Sequence, residues 1–206
     1  MSNIFILLPN QLFYDINFLK ICNIVYLIED PIFFIKYKFH KMKLILHRAS
    51  MKSYYDYLIN KNIKVKYIEY DKINYDKIFN NNIIHIYDPI DNNILNRFNK
   101  LTKKYNTYLN IYDNLLFIET NKDLDEYYNS LKSHSRYLHD HFYRWNRFRL
   151  NILIKDNKPL YNKLSFDKEN RKPFDKNYNI PKEPKINNNK YVIEAITVIL
   201  RKIIQF

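Results

Sequence analysis

The sequence predicts an α/β fold: a five-stranded parallel, doubly wound, Rossmann-like sheet, then a helical connector and the start of a helical domain. Three observations carry that expectation. Short, continuous apolar runs, the mark of strands covered on both faces, recur through the first half. Segments of helical periodicity separate them, and alternating strand and helix builds a parallel sheet between two helical layers. After about residue 120 the alternation gives way to consecutive helices.

In order, NIFILLP (3–9) is the first strand and NIVYLIED (23–30) the second. KVKYIEY (64–70) is a weaker third, and NIIHIYDP (82–89) and TYLNIYDN (107–114) complete the five. The strongest helical pattern covers 40–62, with Leu44, His47, Met51, Tyr54 or Tyr55, and Leu58 on one face. His47 in that stripe is expected to be a hydrogen-bonded core histidine. Residues 92–105 form another helix. Beyond the sheet, 121–133 reads as a helix capped by Asn121. Residues 139–154 read as a second, with Phe142, Trp145, Phe148 and Ile152 on one stripe. LSFDKENRKPF (164–174) alternates charge beside Leu164 and Phe166, and Pro173 stops any helix there. Residues 175–190 combine Pro and Asn in a charged context without period, as a linker does. The apolar helix over 191–206 has nothing downstream to pack on, so it is expected to open an incomplete second domain. The organisation is therefore an α/β domain over 1–120, a helical connector over 121–174, a linker over 175–190 and a first helix of a further domain over 191–206.

Composition narrows the function classes. Lys and Arg outnumber Asp and Glu by 34 to 21, a formal net charge of +13. That balance permits a DNA or RNA partner without demonstrating one. Glycine is absent from the 206 residues, although the usual ~7 % would supply about 14. A glycine-rich dinucleotide loop, a P-loop and a nucleophile elbow are thereby excluded, since each needs backbone that only glycine allows. Asparagine must take over at turns and helix ends, because it tolerates the left-handed conformation next best. The excess of Asn, Ile, Lys, Tyr and Phe reflects an AT-rich genome rather than a function. Cys22 stands alone, so no internal disulfide and no four-thiolate cluster can form. No apolar run approaches the ~18 residues that span a bilayer, and the N-terminus lacks a signal-peptide pattern. The expectation is a soluble, intracellular protein with no membrane partner, in the cytoplasm of a cell or of an infected host.

Ligands of doubly wound sheets sit outside the carboxyl ends of the strands, at the switch point. Those ends carry Pro9-Asn10-Gln11, Glu29-Asp30-Pro31, Asp88-Pro89 and Asp113-Asn114. The acidic residues are placed either to converge on one mouth or to cap turns and helices, where carboxylates are favoured anyway. His40-Lys41, with Lys43, opens the long helix and reads as an anion or ring-oxygen site, or as a solvated basic turn. His134, His139 and His141 do not follow a standard zinc spacing, and no Cys or Glu completes a set, so no metal is expected. Arg144, Arg147 and Arg149 interleave with Phe142, Tyr143, Trp145 and Phe148, a composition suited to nucleic acid or to a docking helix with a basic outer face. No paired Glu, Ser–His–Asp set or reactive Cys stands out, so no catalytic residue is nominated.

LLPNQLFYD, VYLIEDPIFF, FHKMKLILHRASMKSYYDYL, HFYRWNRFRLNILI and LSFDKENRKPF occur in that order. This ordered set resembles the N-terminal part of the deoxyribodipyrimidine photolyase-related proteins, the branch of the photolyase/cryptochrome family that includes iron–sulfur bacterial members. The resemblance runs from about residue 3 to about 195. It implies an antenna domain over 1–120, a connector that includes 164–174, and, from residue 191, the first helix of a helical FAD-binding domain. It also implies DNA repair or light sensing as the family activity. Asn10, Gln11, Glu29, His40 and Lys41 match positions of a lumazine or deazaflavin antenna site, with Phe33 and Phe34 placed to stack on a flat ring. Residues 31–40 hold no acidic residue, where iron–sulfur relatives carry one, and 161–167 hold neither the glycines nor the Trp of relatives. FAD and an iron–sulfur cluster are not expected on this chain. The resemblance points instead to an antenna half without chemistry of its own, completed by a separate FAD-binding subunit. That subunit, or DNA, would dock on Arg144, Arg147, Arg149, Arg171 and Lys172. The other readings are a chromophore-free nucleic-acid-binding or interaction protein, and a non-functional gene remnant.

Overall fold

The computed structural model describes residues 1–131, 138–164, 173, 175, 177–183 and 189–202. They fall into two units: Met1–Ile118 with Ile186–Phe206, and Glu119–Lys185.

The first unit is built on five strands, β1 (Ser2–Leu7), β2 (Ile24–Ile28), β3 (Val65–Ile68), β4 (Asn82–Tyr87) and β5 (Leu109–Tyr112). They form one sheet in the order β3-β2-β1-β4-β5, and every pairing is parallel. The expected fold class is therefore correct. The period-2 alternation of β1 feeds two cores. Phe5 and Leu7 join Val25 and Leu27 on one face, and Ile4 and Ile6 join Ile84 and Ile86 on the other. Both faces are covered, which is why these strands are continuously apolar rather than alternating.

Helices α1 (Asn17–Lys20), α2 (Pro31–Phe34) and α3 (Lys41–Asn60) follow β1 and β2, α4 (Tyr75–Phe79) follows β3, and α5 (Asn92–Tyr105) follows β4. Leu44, Met51 and Leu58 of α3 close the first core, as their spacing predicts, and Ile94 and Phe98 of α5 close the second. Asp91 caps α5 by accepting from the backbone N–H groups of Asn93 and Ile94, and Asn106 ends it in the left-handed region at φ 46°. The substitution of asparagine for glycine is general. Of the ten described residues with positive φ, Asn62, Asn81, Asn106, Asn151, Asn157 and Asn162 are asparagine.

The last helix finds its packing surface upstream. Residues Lys190–Lys202 (the helix is α8 once α6 and α7 are counted) do have a surface to pack on, and it is α3. Ala195 and Ile199 are fully buried in the first core. Lys190 Nζ pairs with Asp56 at 2.9 Å, and the Tyr191 hydroxyl donates to the same carboxylate at 2.7 Å. The partner lies far upstream in sequence, where a search for downstream neighbours does not reach.

In the second unit, α6 (Asn121–Ser130) is capped by Thr120 rather than Asn121. Thr120 and Asp123 exchange side-chain and backbone hydrogen bonds as a capping box. Helix α7 (His139–Arg149) stops at Arg149 instead of running to 154, because Asn151 and Leu153 take positive φ. A hairpin follows, β6 (Ile154–Lys155) and β7 (Lys158–Pro159), turned through Asp156-Asn157, both left-handed as a type I′ turn requires. Phe142 and Trp145 pack on Tyr127 at 5.0 and 5.3 Å between ring centroids, but Phe148 and Ile152 are exposed, so the expected four-residue stripe is only half a packing face. Among the described residues no helix is long and apolar enough to cross a membrane.

Candidate functional site

The sheet order changes direction between β1 and β4, so the loops leaving these strands part there and leave a mouth at their carboxyl ends. Gln11 stitches it. Its Oε1 accepts from the Leu8 N–H at 3.3 Å, and its Nε2 donates to the carbonyl oxygens of Tyr87 and Asp88, both at 3.1 Å. Asn114 Nδ2 donates to the same Asp88 carbonyl at 2.7 Å. Gln11 is wholly buried and engaged by backbone, so it shapes the mouth rather than presenting free polar atoms. Next to it, Asn10 Oδ1 is buried with no hydrogen-bond partner among the described residues. In the β4–α5 loop Ile90 holds φ 63°, a conformation that β-branched residues rarely accept.

Asp30 and Asp88 follow the plainer of the two readings, whereas Glu29 follows neither. Asp30 caps α2 through the Ile32 N–H at 3.0 Å and also takes the Tyr75 hydroxyl and Arg97 Nη2. Asp88 Oδ1 accepts from the Ile90 N–H at 3.0 Å, closing a turn. Glu29 is wholly buried and meets Arg48 Nη1 at 2.7 Å, the Tyr67 hydroxyl and the Tyr70 N–H. Arg48 is itself 2 % exposed. Its Nη2 reaches Glu69 at 2.9 Å, and its Nε and Nη2 grip Glu194 of α8 at 3.0 and 2.6 Å. Burial pushes the Glu29 carboxyl above its ordinary value, outweighing Arg48 and the Tyr67 hydroxyl. Burial alone would lower Arg48, but Glu194, Glu29 and Glu69 hold it above the usual arginine value.

Beside this cluster lies an aromatic nest. Phe33 and Phe34 of α2 stand 5.9 and 6.2 Å from the His47 ring, and Phe34 stacks on Tyr70 at 6.4 Å. Phe34 is buried and Phe33 half-buried. His47 Nε2 is buried and, among the described residues, has no hydrogen-bond partner, which corrects the expectation of a bonded core histidine. Burial, then the charge of Lys43, lowers its pKa, so the ring is neutral near pH 7. At the start of α3, His40 Nδ1 accepts from the Met42 N–H at 3.2 Å as the helix cap, and Lys41 is exposed.

The arginines of α7 are not one basic face. Arg144 is exposed and pairs with Asp140 at 3.0 Å. Arg149 pairs with Asp123 at 2.8 Å and lies over the Trp145 ring. Arg147, expected on the outer face, is 4 % exposed. Its guanidinium donates to the carbonyl oxygens of Ile152, Leu153, Lys163 and Leu164, so it is a strut and presents no cation to a partner. His139 and His141 lie in α7, whereas His134, Arg171 and Lys172 lie outside the described residues.

Sequence reasoning named Glu29 but missed Arg48, Glu69 and Glu194. A signal was available: Arg48 falls between Leu44 and Met51 on the buried stripe, where an arginine implies a buried anion. Glu194 carried no such signal, being 146 residues away.

Comparison with known proteins bears on the whole of this architecture. The profile of the family described as "Deoxyribodipyrimidine photo-lyase-related protein" matches residues 5–205. The chain is 35 % identical over 190 residues to "Uncharacterized protein R852" of Acanthamoeba polyphaga mimivirus, covering 83 % of this chain and 94 % of the relative. The chain belongs to the deoxyribodipyrimidine photo-lyase-related protein family.

Proposed function

We propose that this chain is the antenna-type half of a photolyase-related protein: it holds a planar chromophore of the lumazine or deazaflavin class at the sheet mouth and performs no reaction alone. The observation that carries the reading is two of the four buried, unbonded side-chain polar atoms among the described residues: Asn10 Oδ1, in the loop after β1, and His47 Nε2, on α3 beside the α2 aromatics. Leaving such a group unbonded costs about 1–3 kcal/mol, so each marks a place where a hydrogen-bonding ligand fits. The half-buried Phe33 ring supplies a flat apolar wall beside His47, while Gln11, Glu29 and Phe34 fix the frame. His40 and Lys41 at the start of α3 are placed to meet a polar edge or tail of the ring system. The chromophore supplies light absorption; the residues of this chain orient it and exclude water.

In this reading FAD belongs to a separate subunit, and so does any iron–sulfur cluster, since Cys22 alone cannot supply the four thiolates a cluster needs.

The test is an absorption and fluorescence spectrum of the purified chain after incubation with a lumazine and, separately, a deazaflavin. A bound, red-shifted band that Asn10→Leu and His47→Leu abolish, with melting temperature retained, supports the site. A spectrum of Tyr and Trp alone in every preparation sinks the chromophore and favours the remnant. Co-elution with a photolyase FAD-domain polypeptide tests the partner separately.

A further inference from the structure

We propose that the surface formed by 35–46, at the start of α3, docks on an anionic lipid bilayer, with its lysines on the headgroups and its exposed apolar side chains at the acyl boundary. The stretch reads IKYKFHKMKLIL, with Lys36, Lys38, Lys41 and Lys43 set among aromatic and aliphatic residues. Ile35, Tyr37, Met42 and Leu46 are 48, 54, 65 and 66 % exposed, and the four lysines are exposed with them. Ring contacts gather them into one patch. Lys36 Nζ lies 5.3 Å from the Tyr37 ring centroid, the Tyr37 and Phe39 rings meet edge to face at 5.8 Å, and Lys43 Nζ lies 3.9 Å over Phe39. Leu46 is then the neighbour of Lys43 and of Met42 on the outer face of α3, at three and four residues' spacing.

Charge decides the partner. Residues 31–55 and 195–206 contain no Asp or Glu. Helix α8 runs antiparallel to α3, since Arg48 pairs with Glu194 while Asp56, farther along α3, pairs with Lys190. The C-terminal end of α8, with the exposed Arg201, therefore lies at the same end as the start of α3. Among the described residues, Lys36, Lys38, Lys41 and Lys43 have no carboxylate within ion-pair distance. Single exposed apolar residues are ordinary on any protein surface, and so are solvated lysines. That account does not cover four exposed apolar side chains interleaved with four unpaired cations and no acid. A protein partner would have to match apolar and acidic groups point by point, whereas a fluid anionic bilayer meets both in any register. Lysine stems can lie along the apolar level while their ammonium groups reach the headgroups. The expectation of no membrane partner rests on the lack of a spanning segment, which a surface contact does not need. Lys36, Lys38, Lys43, Met42 and Leu46 are not among the residues assigned to the chromophore, so the inference is independent of that reading.

The experiment is co-sedimentation of the full chain with vesicles of phosphatidylcholine, alone or with about one-third phosphatidylserine, across a salt series. Binding to the anionic vesicles and not to the neutral ones is expected. A lysine near such a surface is worth roughly fivefold in affinity, so Lys36→Gln/Lys38→Gln/Lys43→Gln should weaken binding about a hundredfold and flatten its salt dependence. Met42→Gln/Leu46→Gln should weaken binding about tenfold or more and keep the salt dependence, because it removes only buried apolar area. Lys20→Gln/Lys100→Gln/Lys103→Gln removes equal charge from exposed positions elsewhere and is expected to bind like the parent. No binding by the unaltered chain, or equal loss in that control, overturns the proposal. Undiminished binding by Met42→Gln/Leu46→Gln overturns it too, by reducing the patch to a general polyanion surface.

Discussion

Among the described residues each unit buries one arginine, and the two are held by different partners. Arg48 in the α/β unit lies among Glu29, Glu69 and Glu194, which come from the ends of β2 and β3 and from α8. Arg147 in the second unit meets no carboxylate in its hydrogen-bond set; four backbone carbonyls surround it. The first arginine joins elements that already have their own backbone hydrogen bonds, so what it decides is which elements lie together. The second supplies donors to a stretch, 152–164, that holds only a two-residue ladder and a short turn. Without those donors its carbonyls have few partners. A buried guanidinium thus serves tertiary assembly in one unit and local chain order in the other.

The largest expected effect comes from removing the charged one. Arg48→Met leaves Glu29 wholly buried without its counter-charge, and breaking a buried pair in this way costs about 3–5 kcal/mol. Urea unfolding should show that loss, and hydrogen exchange should show 190–202 losing protection with it. Adding Glu29→Gln to Arg48→Met should recover part of the loss, because the stranded charge goes. If Arg48→Met unfolds like the parent, carboxylates and carbonyls are equivalent partners and the contrast between the units is void.

Arg147→Lys keeps the charge but not the planar fork that spans four acceptors. About 1.5–3 kcal/mol is the scale of a hydrogen bond to a charged group. The expected signature is local: amides of 150–164 exchange faster while those of the parallel sheet do not change. Faster exchange in both regions would mean that Arg147 is not confined to its own unit.

The acid–base behaviour sharpens the difference, since of these two clusters only that of Arg48 contains carboxylates. Burial raises the folded Glu29 pKa above its ordinary 4.5. A raised folded value means that the group's stabilising contribution is complete below the unfolded pKa and is lost as pH rises through the folded one. Glu29→Gln removes that loss. The stability of Glu29→Gln relative to the parent should therefore improve between pH 4.5 and neutrality, by denaturant unfolding at several pH values. A flat difference would mean that Arg48 holds the carboxylate charged throughout.

How much of this was legible follows from the range of each interaction. The strands and α3 could be read because two covered faces force continuous apolar runs and one covered face forces a 3.6-residue stripe. The role of asparagine could be read from the missing glycine, and Asn106 at the end of α5 bears it out. The four- and five-residue helices α1, α2 and α4 are too short to show a period, and the strands of the 154–159 hairpin are shorter still. At the mouth, Gln11 and Glu29 were visible as polar residues at strand ends. Their engagement by Tyr87, Asp88 and Arg48 was not, because those partners lie 19 to 77 residues away and are brought together only by sheet order.

The smallest effect tests whether backbone strain also differs between the units. Ile90 at the mouth (φ 63°) and Leu153 in the Arg147-bound stretch (φ 52°) are apolar side chains in the left-handed region, and both are more than half exposed. Asparagine tolerates that conformation better, and little burial is lost, so Ile90→Asn and Leu153→Asn should each stabilise by about 0.5–1 kcal/mol. Thermal melting of the two variants measures it. The carbonyl of Leu153 accepts from Arg147 at 2.8 Å, so relaxing its backbone should leave 150–164 as protected as before. If Leu153→Asn instead loosens that stretch while Ile90→Asn stabilises, the leucine side chain contributes order of its own there. Arg147 would then be one of two supports rather than the organiser of the segment.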